Sequence, residues 1–400
     1  AFAGLPVDLV TPRAAMAHPF DDGTAALVEG SVSTTAARLG GDGPAYRRLL
    51  RHLVVHATEV IQGAMGPIRV PRRPLLLSRF GIPALLPAAL LGGSVFQGRE
   101  ARAILAGMAA HSMLPLTEPG SSAAGLIMLV SAHATGWPFV RGGSATAADT
   151  MVRRIEDLGG EVRCGTRVSS VDELPAHRAA LLDVMPDALV GMAGGRLAPR
   201  YREQLERYRH GPGVFKLDWV LDGPIPWQAR ECARAGTLHL GGTAEEVAAS
   251  ELEVDQGGHP RHPFVLLTQP SLFDPTRAAP GRQVAWAYCH VPNGSGQDMT
   301  AAIEGQVERF APGFRDRVRA RRVWTPAQIE EQNPNCVGGD VGGGRSDLRQ
   351  LLGRPAARLD PYRTSDPSLF LCSAATPPGP GVHGLCGWYA ARSALRSRLA

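Results

Sequence analysis

Gly379, Gly381 and Gly384, in the stretch Thr376 to Leu395 (TPPGPGVHGLCGWYAARSAL), follow the spacing G-x-G-x-x-G. In that pattern a glycine turn lets backbone N–H groups approach the pyrophosphate of a dinucleotide. The chemistry needs a strand running straight into the turn, a helix after it, and an acidic residue about 20 positions on to hold the ribose. Pro377 and Pro378 separate the glycines from the apolar run Leu369 to Cys372, and no Asp or Glu follows Asp366. The stretch is therefore not a first-strand dinucleotide fingerprint. It does combine an apolar strand, the small residues Ser373, Ala374, Ala375 and Thr376, a Pro/Gly turn and an Ala-rich helix starting near Gly384. Such an arrangement sets backbone N–H groups and a helix dipole against an anion or a planar ring. His383, beside the turn, is either the titratable group that moves a proton there or a residue that packs the turn.

Other chemistry is sparse. The six cysteines at 164, 232, 289, 336, 372 and 386 form no C-x-x-C and no Cys/His grouping at zinc spacing, so no metal site is expected. Scattered single thiols fit a reducing, cytoplasmic compartment. His111, His133 and His290 have no partner at a spacing that argues catalysis and read as structural. The formal net charge is +5, but Asp and Glu are interspersed with the arginines, which leaves no stripe for nucleic acid. The first residues, AFAGLPVDLV, lack an initiator Met, a basic segment and a long apolar core, so they are read as the middle of a gene product and not as a signal peptide.

The elements that must position these residues can be read from periodicity. A chain of 400 residues with 44% hydrophobic content buries a large core and fits two or three domains at about 150 residues each. Tyr46 to Thr135 is Ala/Leu-rich at helical spacing, as in Tyr46, Leu49, Leu50, Leu53 and Val54. After Gly142 and Gly143, the apolar positions Ala148, Met151, Val152, Ile155 and Leu158 predict a helix stopped by Gly159 and Gly160, and Glu161 to Val171 predicts a strand. Alternating runs at Val214 to Leu221, Thr237 to Leu240, Phe264 to Thr268 and Val284 to His290 predict an antiparallel or mixed sheet. A helix from Asp298 to Phe310 follows, then the glycine cluster Gly338 to Gly344, which is either backbone approaching a ligand or partner or a mobile loop.

The motif of Ser373, Ala374 and Thr376 with Pro378, Gly379, Gly381 and Gly384 resembles the C-terminal flavin motif of phytoene-desaturase-like FAD oxidoreductases, G-A-x-T-H-P-G-x-G-x-x-G before a final helix. Pro377 stands where that family usually has His, and His383 where carotenoid desaturases often have Pro, which marks a side branch. WPFVRGGSATAADTMVRRIEDLGGEVRCGTRVSSV is similar to the family's P-x-G-G, helix, G-G, strand segment, and YRHGPGVFKLDWVLDGPIPW points to a bacterial branch. The resemblance implies an α/β (mixed α+β) fold: a Rossmann-like FAD/NAD(P)-binding domain lacking its first βαβ unit, with an inserted substrate domain of helices and a mixed or antiparallel sheet. The implied divisions are 1–137, a mostly helical substrate and entrance region; 138–200, an FAD-binding segment; 201–335, the substrate-domain sheet; and 336–400, the C-terminal FAD-binding segment. FAD would contact Gly143, Val168, Ser373, Ala374, Thr376, Gly379, Gly381, Val382 and Gly384, with His383 as the catalytic residue. The family's first G-x-G-x-x-G is expected upstream of Ala1, so a chain without it is expected to hold flavin weakly or not at all.

The function so implied is hydride transfer between flavin and a small apolar, isoprenoid-type substrate. An amine-oxidase-like flavoenzyme, a flavin-dependent isomerase and a non-catalytic membrane-peripheral or regulatory protein that has lost flavin are the alternatives. Residues 75–91 are apolar but broken by Arg79, Pro83 and Pro87, too interrupted to span a bilayer, and are expected at the substrate entrance in peripheral contact with the inner membrane face. The substrate, electron acceptor and oligomeric state have no sequence signal.

Overall fold

The computed structural model describes residues 5–399. Among these, three strands come first: β1 (Leu9–Val10), β2 (Ala14–Pro19) and β3 (Ala25–Glu29). Seven helices follow: α1 (Val32–Arg38), α2 (Gly43–Val55), α3 (Ala57–Ala64), α4 (Pro74–Leu85), α5 (Ala88–Val95), α6 (Arg99–Ala110) and α7 (Ser122–Thr135). Then come β4 (Phe139–Val140), α8 (Ser144–Asp157), β5 (Ala180–Leu182), α9 (Pro186–Ala193) and α10 (Pro199–Glu206). The rest comprises β6 (Gly213–Leu221), β7 (Ala235–Leu240), α11 (Ala244–Asp255), β8 (Val265–Thr268), β9 (Gln283–Val291), α12 (Thr300–Phe310) and β10 (Val318–Trp324). Last are α13 (Pro326–Gln332), α14 (Leu348–Gly353), β11 (Leu369–Leu371) and α15 (Leu385–Ala394).

One large sheet orders its seven strands β10-β6-β9-β8-β7-β2-β3, and only the β2–β7 pair is parallel. Period-two alternation gives it two buried faces. Leu217, Trp219, Leu238 and Leu267 meet Ile303, Val307 and Phe310 of α12 on one side. Met16 and Val28 meet Leu50, Leu53, Ile104 and Leu129 of the helical layer on the other. Each such aliphatic side chain contributes about 1.5–3 kcal/mol by leaving water. Gly125 lets α7 cross α6 closely, since a Cβ there would stand 3.1 Å from the Ala109 nitrogen.

A second core joins the parallel pair β5–β11 to α9 and α10 through Leu182, Leu189, Tyr201, Leu205, Leu369 and Leu371. This is the layer that carries the chain into the glycine turn.

One expectation needs correction. Glu161 to Val171 forms no strand: 161–167 are exposed, no described strand lies beside them to pair their backbone groups, and a Ser170–Glu173 capping box starts a short 3-10 turn at Val171 instead. Before the seven helices, β2 and β3 complete the sheet built from 213–324. The pairing of β2 with β7 joins residues more than 200 positions apart, beyond the reach of a local pattern.

Candidate cofactor site

β11 delivers the chain to the turn, held to β5 until the Cys372 N–H donates to the Leu182 carbonyl at 3.0 Å. Ser373, Ala375 and Thr376 are then buried. The Thr376 hydroxyl donates to the Ser373 carbonyl at 2.8 Å, and the Gly379 N–H donates to the Thr376 carbonyl at 2.9 Å. The Cys386 thiol faces the Thr376 and Gly379 carbonyls at 3.5 and 3.6 Å, and the Tyr362 hydroxyl donates to the Pro377 carbonyl at 2.8 Å. The exposed edge of the turn runs over 380–384, with His383 half-buried.

That edge is made of glycine. Gly379, Gly381 and Gly384 have φ of +100°, +127° and +64°, a region costly for residues with a Cβ. The N–H groups of Gly381, Val382 and Gly384 take no acceptor among the described residues, and Val382 is 92% exposed. At these exposed positions, and with the N-terminus of α15, they supply donors suited to an anion or an electron-rich ring edge.

Ser373, Ala374, Thr376, Gly379, Gly381, Val382 and Gly384 thus come together. Gly143 and Val168 do not join them through any hydrogen bond. Gly143 caps α8 beside the Arg277 guanidinium, and Val168 is half-buried in the irregular 161–170 segment.

His383 is pinned within the turn. Its Nδ1 accepts from the Leu385 N–H at 3.0 Å, which leaves Nε2 as the donor towards the Pro380 carbonyl at 3.2 Å. Burial lowers its pKa, partly offset by the Pro380 and Gly379 carbonyls, so the ring is neutral at pH 7. A neutral imidazole with both nitrogens engaged is built to hold a helix start.

Behind the turn lies a polar assembly that sequence spacing did not disclose. The Asp340 carboxylate, 1% exposed, accepts from the N–H groups of Gly211, Gly342 and Gly344, each at 2.7 Å. This accounts for the glycine cluster: the loop wraps an aspartate, and only glycine allows the close returns. Gly343 packs on Ala374, and its carbonyl accepts from the Tyr208 hydroxyl at 2.6 Å and Arg354 Nη2 at 3.2 Å. Arg354 Nη2 also donates to the Tyr208 hydroxyl at 2.9 Å. Arg354 is 2% exposed, and its Nε and Nη1 have no partner among the described residues. A Cβ on Gly379 would overlap that Nη1.

The turn is linked to an apolar surface. Tyr389 of α15 packs against Gly66, and Arg69 lies over its ring at 5.0 Å. Ile68, Val70 and Leu75 beyond are 71%, 94% and 83% exposed, with Arg72 and Arg73 between them. On α4 and α5, Leu76, Phe80, Ala84, Ala88 and Leu91 enter the core, while Ile82, Leu85 and Leu90 face out. No single described helix is long and apolar enough to cross a membrane; α4 and α5 together would be, but they bend by 107°.

No family model matches the chain. Over 194 residues it is 29% identical to mouse pyridine nucleotide-disulfide oxidoreductase domain-containing protein 2, covering 44% of this chain and 31% of that protein. Over 306 residues it is 25% identical to the lycopene-forming phytoene desaturase of Pseudescherichia vulneris, covering 69% and 59%. The chain thus spans about a third of the mouse relative's length. Among solved structures it is similar to an oxidoreductase from Methanosarcina mazei, with TM-score 0.62, 13% identity and coverage of 97% of this chain and 82% of that one. It is also similar to a putrescine oxidase variant redesigned in its cofactor binding, with TM-score 0.58, 15% identity and coverage of 98% and 82%. The fold is the one shared with these FAD-dependent oxidoreductase neighbours. Its sequence relatives include phytoene desaturases and pyridine nucleotide-disulfide oxidoreductase domain-containing proteins.

Proposed function

We propose that this protein is an FAD-dependent oxidoreductase of the phytoene-desaturase-like kind, acting on a small apolar, isoprenoid-type substrate. The observation that carries the reading is the 373–384 turn. Its residues fit a flavin nucleotide: three unengaged N–H groups at glycines or beside them, a helix N-terminus, and a buried guanidinium with unused donors close behind. FAD, when bound, supplies the two-electron acceptor or donor.

The chain's own work is placement. Thr376, Cys386 and Tyr362 hold the carbonyls of Ser373, Thr376, Pro377 and Gly379, which fixes the course of the backbone into the turn. His383 fixes the start of α15. Glycine at 379 leaves room for Arg354 Nη1, and glycine at 381 allows the positive φ of the turn beside the His383 ring. The apolar and arginine-bearing surface from Ile68 to Leu90 adjoins α15 and suits an apolar molecule arriving from the cytoplasmic face of a membrane.

FAD titrated into the purified full-length gene product tests the reading. Saturable binding near one flavin per chain, with bleaching of the flavin by isoprenoid substrates and not by primary amines, is the expected result. Bleaching by amines alone would move the protein to the amine-oxidase reading. No FAD binding would overturn the proposal.

A further inference from the structure

Arg354 is a buried cation without a carboxylate. It is 2% exposed, and no Asp or Glu lies within ion-pair distance among the described residues. Leaving such a charge uncompensated in a protein interior is costly, and buried arginines are ordinarily paired. Only Nη2 is used, by the Tyr208 hydroxyl and the Gly343 carbonyl; Nε and Nη1 have nothing. The nearby acid, Asp340, is fully engaged by three backbone N–H groups. A purely structural link between Tyr208 and Gly343 needs one neutral donor, not a guanidinium.

The position of the unused nitrogens is specific. Nη1 occupies the space that a side chain at residue 379 would fill, so a positive charge rests directly against the backbone of the glycine turn. Gly381, Val382 and Gly384, whose N–H groups take no acceptor among the described residues, follow Gly379 in the same turn. In this low-dielectric setting a fixed charge acts strongly over a few ångströms.

Resting on the flavin reading above, we infer that Arg354 is the fixed counter-charge for an anionic oxygen of FAD seated on the 379–384 turn, acting through the side-chain-free backbone as a positioning residue. FAD offers that chemistry in two places: its diphosphate, and the pyrimidine edge of the ring, which gains negative charge on reduction.

The test uses the purified protein and its Arg354→Lys and Arg354→Met variants, with folding checked by circular dichroism. FAD affinity, the midpoint potential of bound flavin and the melting temperature with and without FAD are measured. Arg354→Met should bind FAD about tenfold or more weakly, or bind it at a more negative potential, and Arg354→Lys should recover part of either change. Without FAD, Arg354→Met should melt no lower than the parent, because the uncompensated charge has gone. Loss of affinity for oxidised FAD with an unchanged potential assigns the charge to the diphosphate; a fallen potential with retained affinity assigns it to the pyrimidine edge. If the parent binds FAD and Arg354→Met matches it in affinity and potential, this inference alone fails. If the parent binds none, the functional proposal and this inference fall together. Should Arg354→Met not fold, the Arg354→Lys and Arg354→Gln variants decide by the same readings.

Discussion

Tyr362 stacks on Tyr389 with ring centroids 5.9 Å apart, while its hydroxyl donates to the Pro377 carbonyl at 2.8 Å. One side chain therefore ties the turn to the helix that leaves it. Tyr362→Phe keeps the stack and strands the carbonyl, so stability should fall by about 1–2 kcal/mol. FAD affinity should fall with it, because this bond holds the backbone that leads into the glycine turn. Urea unfolding and FAD titration on the same variant check both; unchanged affinity alongside the stability loss would show that the anchor does not serve the site.

Gly381 and Gly125 separate ligand approach from packing. Gly381 is exposed at φ +127°, so Gly381→Val costs roughly 1–3 kcal/mol in backbone strain and drives a side chain against the His383 ring that holds the start of α15. Gly125→Val instead drives a Cβ against the Ala109 backbone and overpacks the α6–α7 crossing, again by about 1–3 kcal/mol. Flavin per folded chain should collapse in the first variant and stay at the parent value in the second. A full complement of FAD in Gly381→Val would remove the turn from the cofactor site.

His18 makes the fold acid-sensitive. It is fully buried in β2, its Nε2 faces the Gly242 carbonyl at 2.7 Å, and burial lowers its pKa from 6.5 to about 4. Between those values the unfolded chain binds a proton that the folded one refuses, so stability rises with pH and is lost as pH falls from about 6.5 to about 4. The loss from this residue is roughly 3 kcal/mol. His133, lowered to about 4 by burial, adds in the same direction. In urea titrations at pH 7 and pH 4.5, His18→Gln should narrow the gap between midpoints; an equal gap would assign the acid sensitivity elsewhere.

The helices and most of the large sheet were legible because their signals are local: 3.6-residue spacing in α2 to α8 and alternation in β6 to β9. The turn was legible as glycine spacing, but not what stands behind it. Nothing adjacent to Arg354 in the sequence distinguishes it from the other arginines, since burial is created by Tyr208 and Gly343 arriving from distant segments. The Gly338 to Gly344 cluster signalled close backbone approach without saying to what. The strand expected at 161–171 had the right composition, yet a strand also needs a neighbour, and none is described beside it.

The surface beside α15 yields the last prediction. Leu75, Ile82, Leu85 and Leu90 are 83%, 66%, 53% and 56% exposed, and Arg69, Arg72, Arg73 and Arg79 are interspersed with them. Inserted at a bilayer interface, each apolar side chain would contribute about 1.5 kcal/mol or more, and each arginine about 1 kcal/mol on an anionic surface. Leu86 and Leu91 are poor probes, because Leu91 is buried and Leu86 packs against the core. Changing the four exposed residues to Ser should leave the melting temperature nearly unchanged and weaken flotation with phosphatidylserine-containing liposomes by more than about a hundredfold. Arg72→Gln with Arg73→Gln should weaken it less and mainly at low salt, where surface charge is unscreened. Flotation that survives the four serines, or a parent that never floats, would mean that this surface meets no membrane and that the substrate reaches α15 by another route.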